Sequence, residues 1–370
     1  MRIGIIGAGQ LGNMLGFAAR KLGHSCYFLG PSNDPPARFA GPVIQAPFDD
    51  RVALAVLADK CDVLTYEFEN VPVEALMDIA DLVPIYPPPA ALRHAQDRLS
   101  EKRLFENLAI PLAQYATIDS AKDLETATTS IGLPIVIKTR RMGYDGKGQF
   151  ILQSAGRVDE ALESLGGRHL IAEQWISFDY EVSAIGVRNV DGKTATYCLT
   201  KNEHADGILH TSRAPVADSA LTEQAQHYMI KLLDHLDYIG VLALELFVVG
   251  DTLLANEFAP RVHNSGHWTI EGAETSQFTN HVLAITNEPP GSTRNREYAG
   301  MINLIGQIPE VARNLSHGQL HDYGKAPRPG RKLGHITVVA PSETDRDRLL
   351  AEIEASVTSS TKPIGTESCP

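Results

Sequence analysis

Cysteine is scarce in this 370-residue chain, and its four copies, Cys26, Cys61, Cys198 and Cys369, form no Cys-x-x-Cys pair. That spacing argues against a thiolate zinc site or a disulfide framework, and the expectation is reduced thiols. Positive charge is also short: 33 Lys and Arg stand against 45 Asp and Glu, a formal charge of −12. A nucleic-acid binder normally presents a net basic face, so that partner class is set aside. A local basic pocket for a small phosphorylated ligand is still allowed. No apolar run reaches the length of a bilayer-spanning helix, and the first residues lack the apolar stretch of a secretory leader. The expectation is a cytoplasmic protein with no membrane partner. No Gly-Lys-Ser/Thr follows the glycine-rich stretches at Walker A spacing, so a nucleotide site here needs another design.

The chain's length is that of two or three domains. Apolar runs at Arg2–Ile6, Ser25–Leu29, Asp62–Thr65 and Leu82–Tyr86 alternate with helical patterns after Gly9, at Val52–Ala58 and at Val73–Ala80. That order predicts a parallel sheet with covering helices. A charged helix over about Ala90–Leu108 leads out of it. A small α/β unit follows, with a helix near Ala121–Ile131, strands Ile135–Lys138 and Gln149–Leu152, helix Val158–Leu165 and strand Leu170–Ile176. Antiparallel strands are predicted at Glu181–Val187 and Thr194–Leu199, then a helix at Thr222–Leu236 and strands Val241–Val249 and Thr252–Phe258. The tail predicts strands Met301–Ile305 and His335–Val339 and a helix near Thr344–Ala355. The division expected is 1–108, 109–172 and 173–370.

Four stretches carry chemistry. Arg140-Arg141-Met142-Gly143-Tyr144-Asp145-Gly146-Lys147-Gly148-Gln149 is a glycine loop bracketed by cations, in which bare backbone can approach an anion. Gly7-x-Gly9-x-x-Gly12 fits the dinucleotide fingerprint in its strand–helix setting, yet Phe28-Leu29-Gly30 stands where the ribose-binding acid should end the second strand. The glycines then serve a nicotinamide nucleotide, another phosphate at the helix N-terminus, or only the turn. Glu245 and Glu257 lie inside apolar strands, where a carboxylate needs a partner or a metal. A three-residue loop, Gly250-Asp251-Thr252, puts them opposite each other on one face; a two-residue loop puts them on opposite faces. Facing carboxylates suit magnesium, with Asn256 and Asn264 as candidate neutral donors. The run Ala259–Trp268 then places Arg261, His263, Asn264, Ser265 and His267 behind the acidic strand, as an anion site would. Lys201-Asn202-Glu203-His204 reads by itself as a polar loop.

In this order these pieces resemble the ATP-grasp superfamily, and within it the 5-(carboxyamino)imidazole ribonucleotide synthetases of purine biosynthesis. The matching residues include Gln10-Leu11 after the first glycines, Tyr66-Glu67-Phe68-Glu69-Asn70, Asp97-Arg98, the glycine loop, Glu173-Gln174, Glu181-Val182-Ser183, Asn256-Glu257 through Trp268, and Pro329-Gly330-Arg331-Lys332-x-Gly334-His335. The resemblance implies an α/β ATP-grasp fold: an N-terminal Rossmann-like parallel-sheet domain, a small α/β lid and a larger C-terminal α+β domain. It implies ATP and magnesium as cofactors, bicarbonate and 5-aminoimidazole ribonucleotide as substrates, a carboxyphosphate intermediate and a homodimer.

It also implies roles. Arg98, Lys138 and Lys147 would hold phosphates beneath Gly143–Gln149. Glu173, Gln174, Trp175 and Ile176 would line adenine, Glu181 would take the ribose, and His204 and Asn256 would contact the nucleotide. Glu245 and Glu257 would carry the metal. Arg261 and His263 would bind bicarbonate, and Asp145 would accept the amine proton. Gln10, Leu11, Tyr66, Glu67, Glu69, Arg331 and Lys332 would hold the ribonucleotide, Lys332 also acting in catalysis. Rival readings are a formate-using or biotin-linked relative, and a nicotinamide-dependent oxidoreductase.

Overall fold

The computed structural model describes residues 1–143 and 148–360. Three sheets organise them. The first is parallel, in the order Val43–Gln45, Ser25–Gly30, Arg2–Ile6, Val63–Tyr66. Its inner strands are apolar on both faces, as a parallel sheet covered by helices requires, and Ile3, Ile5, Ile6, Phe28, Leu29, Val63 and Leu64 are all buried. The second is antiparallel, in the order Tyr115–Ile118, Leu170–Gln174, Ile135–Thr139, Gln149–Leu152. Helices Ala121–Ser130 and Val158–Leu165 pack Leu124, Ala127, Val158 and Ala161 into its core.

The third sheet has nine strands. Its path runs Thr252–Ala259, Gly240–Val249, Tyr180–Arg188, Thr200–Ala205, Ile208–Ala214, Tyr298–Ile305, Lys332–Ala340, Gln319–Asp322, with Thr194–Thr196 paired beside Tyr180–Arg188. The tail strands thus extend the same sheet. Helix Ser219–His235 buries Leu221, Ala225, Met229, Leu232 and Leu233, one stripe at helical spacing, against its back. Helix Glu343–Ser360 does the same with Leu350 and Ile353.

Three departures from the sequence reading have local causes. Leu82–Tyr86 is not a strand: only Ile85 bridges, to Leu64. Pro84 and Pro87 within and beside it have no N–H to give a ladder. The charged helix is two helices, Pro89–Ala95 and Arg98–Asn107, because Asp97 accepts from the N–H groups of Leu99 and Ser100 and starts a new one. The residues read as a polar loop at Lys201–His204 belong to strand Thr200–Ala205, which pairs with Ile208–Ala214 across the two-residue turn Asp206-Gly207. Both turn residues have positive φ, the conformation Asp-Gly hairpins favour.

The first and third sheets meet at a buried histidine. The Val241 N–H donates to His281 Nδ1 at 3.1 Å, so His281 carries its proton on Nε2, which lies 2.8 Å from Thr65 Oγ1. Burial pushes His281 down to about 3. It does the same to His267, also about 3, where nearby cationic groups add to the effect, and holds His335 well below its usual range. The unfolded chain therefore takes up these protons first as pH falls below 6.5, and stability is lost from there toward about 3 for His267 and His281. The loss is at most about 1.4 kcal/mol per pH unit per histidine. Denaturant unfolding at about pH 7 and about pH 5.5 is expected to show this fall, with a shallower fall in His281→Gln. Equal pH dependence in the two proteins would contradict the assignment.

Candidate active site

The site is built around one hairpin. Gly240–Val249 and Thr252–Ala259 are joined by a two-residue turn, Val249 standing opposite Thr252. That register alone would pair Glu245 with Asn256. A bulge between Glu245 and Leu246 leaves Asn256 as an extra residue, and Glu245 pairs with Glu257 on one face. The facing expected from the sequence is therefore present, by a bulge and not by a three-residue loop. The bulge carbonyl of Asn256 accepts from Lys102 Nζ at 2.5 Å. Burial, then the charge of Glu257, raises Glu245 to about 7. Glu257 goes the other way: burial opposes its charge, but Arg98 and Lys138 outweigh it.

Cations come from two other elements. Arg98 Nη1 donates to Glu257 Oε2 at 3.0 Å from the first turn of helix Arg98–Asn107. Lys102, one turn on, and Lys138, on the second sheet, reach the same oxygen of Glu173 at 3.4 and 3.0 Å. Burial opposes the Glu173 charge, but the two lysines hold it down at about 2. Glu173 thus meets both lysines through Oε2, and its backbone lies in the ladder between Tyr115 and Val136. Gln174 and Ile176 are half-buried beyond it, and Trp175 is exposed. Glu101 Oε1 accepts from the Phe258 N–H at 2.8 Å, and burial pushes this carboxyl to about 8. Sequence reasoning missed Lys102 and Glu101. The one available signal was that Lys102 is four residues from Arg98 and shares its helix face.

Across the sheet, Glu181 and His204 form an ion pair. A register shift at Glu203/His204 accompanies this placement. Burial works against the His204 charge, and Glu181 reverses it. On the other flank Arg261 Nη2 reaches Glu69 Oε1 at 2.9 Å, joining the third sheet to the first. His263 Nε2 stands 3.2 Å from Glu245 Oε1. The Ser265 N–H donates to His263 Nδ1 at 3.3 Å, so the proton sits on Nε2 and points at Glu245. Burial, then Arg261 and Lys332, keep His263 well below its usual range. Asn264 is not a metal donor here: its amide is paired both ways with Asn303, at 3.1 and 2.6 Å.

The N-terminal glycines face an unexpected partner. The Gly9 N–H donates to Glu67 Oε1 at 2.8 Å. Gly7 has φ +117, and a Cβ there would stand 2.4 Å from Glu67 Cγ. The anion at this helix start is the protein's own carboxylate, so the loop is not open to a dinucleotide phosphate. Glu67 thereby supports the loop through Oε1. Tyr66 and Leu11 are corrected: both side chains are buried in the core. Gln10 and Glu69 stay accessible at the cleft edge. Lys325, also missed, is pushed down to about 8 by burial and then Arg331, with Glu67 opposing, and its Nζ lies 3.3 Å from the Lys332 carbonyl. Arg331 and Lys332 are half-exposed. The charge of Lys332 acts on Glu245, His263 and His204 alike, which places it among them.

Tyr144, Asp145, Gly146 and Lys147 lie outside the described residues. The loop's base is described. The Thr139 N–H donates to the Gly148 carbonyl at 2.9 Å, Gly148 has φ +72 with Thr139 against it, Gly143 is half-exposed, and Gln149 stands opposite Lys138. Cys26 and Cys61 are buried free thiols, and Cys198 is free. No helix among the described residues is long and apolar enough to cross a membrane.

Residues 1–96 match the ribonucleotide synthetase preATP-grasp domain, 103–278 the ATP-grasp domain, and 299–348 the phosphoribosylaminoimidazole carboxylase C-terminal domain. The chain is 45% identical to the N5-carboxyaminoimidazole ribonucleotide synthase of Pseudomonas aeruginosa, over 96% of this chain and 99% of that one. The crystal structure of N5-carboxyaminoimidazole ribonucleotide synthetase from Thermus thermophilus superposes with a TM-score of 0.93 at 46% identity, covering 98% of this chain and 100% of that one. The enzyme from Aspergillus clavatus, in complex with ADP and 5-aminoimidazole ribonucleotide, superposes with a TM-score of 0.91 at 31% identity, over 97% of this chain and 98% of that one. The fold is ATP-grasp, with the N-terminal parallel sheet and the antiparallel sheets described above.

Lys102 is 1% exposed and touches both Glu173 and the bulge. Lys102→Met is expected to cost about 3 kcal/mol in denaturant unfolding, because it leaves a buried carboxylate under-compensated. A loss below about 1 kcal/mol would contradict that role.

Proposed function

The chain belongs to the N5-carboxyaminoimidazole ribonucleotide synthase family, and from that premise we infer how its cleft carries out the reaction. The enzyme is an ATP-grasp ligase. It uses ATP to carboxylate 5-aminoimidazole ribonucleotide on its exocyclic amine, giving N5-carboxyaminoimidazole ribonucleotide in purine biosynthesis. The observation that carries the residue-level reading is the Glu245–Glu257 pair, ringed by Arg98, Lys138, His263 and Lys332.

Bicarbonate is a poor electrophile, and phosphorylation gives it a leaving group. A bicarbonate oxygen takes the terminal phosphoryl group of ATP and ADP departs. The ribonucleotide amine then attacks the carbon of carboxyphosphate, phosphate leaves, and the amine gives up a proton. Arg98 and Lys138 hold the ATP phosphates and offset the charge that spreads during transfer. Gly143, Gly148 and Gln149 flank them. Gln174, Trp175 and Ile176 border the adenine, Glu181 takes the ribose, and His204 and Asn256 lie against the nucleotide.

The carboxylate pair fits magnesium. Two hard oxygen donors face one another, and burial together with the charge of Glu257 raises Glu245, the strain that a divalent cation between them would relieve. Magnesium is usually held by one or two carboxylates plus substrate phosphate oxygens. Bound by Glu245 and Glu257, magnesium would neutralise charge on the transferring phosphoryl group.

Arg261 and His263 border the bicarbonate. Ser265 occupies the Nδ1 of His263, so its Nε2–H, which rests toward Glu245 in this structure, is the one donor His263 can offer there. Arg331, Lys332 and Lys325 hold the ribonucleotide phosphate, with Gln10 and Glu69 at the sugar. The Arg261–Glu69 ion pair links the two substrate sites. Asp145, outside the described residues, keeps its reading as proton acceptor. With this reading go the division 1–108, 109–172 and 173–370, a cytoplasmic homodimer, and small molecules as the only partners. Strand Leu170–Gln174 runs across the second boundary.

The test is ADP release with ATP and magnesium, with and without bicarbonate and 5-aminoimidazole ribonucleotide. Both are expected to stimulate it, with product equal to ADP; stimulation that ignores the ribonucleotide would sink the specific reading. Glu257→Gln is expected to lower kcat at least about a hundredfold with thermal stability kept. Retained turnover would remove Glu257 from the metal.

A further inference from the structure

Arg140 and Arg141 bracket the glycine loop in sequence, and both turn toward Asp97, Arg140 with two N–H groups and Arg141 with one. Asp97 Oδ2 accepts from Arg140 Nη2 at 2.7 Å and Arg141 Nε at 3.2 Å, and Oδ1 accepts from Arg140 Nε at 3.0 Å. The same Oδ1 caps the helix, taking the N–H groups of Leu99 at 3.0 Å and Ser100 at 3.4 Å. The Arg98 N–H also donates to the Arg140 carbonyl at 2.9 Å. The carboxylate is only 8% exposed, so these contacts are little screened by water.

The placement explains why one acid takes so many donors. Arg98 and Lys138 come from different elements, the helix Arg98–Asn107 and the strand Ile135–Thr139. Asp97 immediately precedes Arg98, and Arg140 follows Lys138 by two residues. The bidentate pair therefore sets the distance between the two cations. We propose that Asp97 is a positioning residue for the nucleotide phosphates, locking the base of the glycine loop to the helix that presents Arg98. This rests on the nucleotide lying between Arg98 and Lys138, as proposed above. Asp97 touches no substrate; it acts through Arg98 and Arg140.

Asp97→Asn separates the two jobs, because the amide oxygen keeps the cap while the charge is lost. The measurement is the Kd for ADP with magnesium by calorimetry on the full chain, beside the melting temperature without ligand. Wild type is expected to bind ADP, and Asp97→Asn to bind it about tenfold more weakly or worse. Arg140→Lys, which keeps charge but loses the fork, is expected to weaken binding as well. Glu160→Gln, which breaks the exposed Arg157–Glu160 pair of the same small unit, is expected to leave the Kd unchanged. In turnover, KM for ATP is expected to rise in Asp97→Asn while KM for the ribonucleotide does not.

Equal ADP affinity in wild type and Asp97→Asn, even with a lowered melting temperature, overturns the proposal and leaves the nucleotide site standing. No ADP binding by wild type overturns both. If Asp97→Asn does not fold, Arg140→Lys decides: an unchanged Kd overturns the proposal, and a raised one supports it.

Discussion

Two carboxylates held opposite each other on neighbouring strands are the constraint around which this cleft is arranged. Glu245 and Glu257 repel, and the fold meets that repulsion from every side. Arg98 reaches Glu257 from a helix, His263 donates toward Glu245 from the loop that follows, and the charges of Lys138 and Lys332 act from two other elements. The pair faces one way only because Asn256 is bulged out, and the bulge is tied to buried Lys102. Lys102 in turn shares Glu173 with Lys138, so the hairpin that carries the two glutamates and the strand Ile135–Thr139 hang on one buried carboxylate.

Helix N-termini attract anions, and the glycines at the first strand–helix turn look built for a ligand phosphate. The chain fills that position with Glu67. The same backbone geometry that binds a dinucleotide elsewhere here ties together the ends of two neighbouring strands of the first sheet, Arg2–Ile6 and Val63–Tyr66. The first and third sheets are joined by the His281 bridge and the Arg261–Glu69 pair.

What the sequence disclosed follows from how local each signal is. The parallel sheet and the pair of acid-bearing strands were legible because burial writes itself into apolar runs, and a glutamate inside such a run stands out. The register was not, because the bulge at Asn256 is tied to Lys102, which lies 154 residues away in the chain. Lys102 and Lys325 read as ordinary surface lysines, since nothing nearby in sequence says they are buried. The resemblance puts Tyr66, Leu11 and Glu67 at the ribonucleotide; the direction of each side chain, a tertiary matter, sends two into the core and one to the glycine turn. Asp97-Arg98 stands among the matching residues with a role for Arg98 alone, although the capping role of Asp97 is local and could have been read from its place before the helix.

The most direct test of the central claim is the binding of manganese, as a paramagnetic stand-in for magnesium, in the presence of ADP. Wild type is expected to form a ternary complex visible by electron paramagnetic resonance, and Glu245→Gln and Glu257→Gln to lose it while remaining folded. An unchanged complex in both variants would contradict the assignment of the facing carboxylates to the metal.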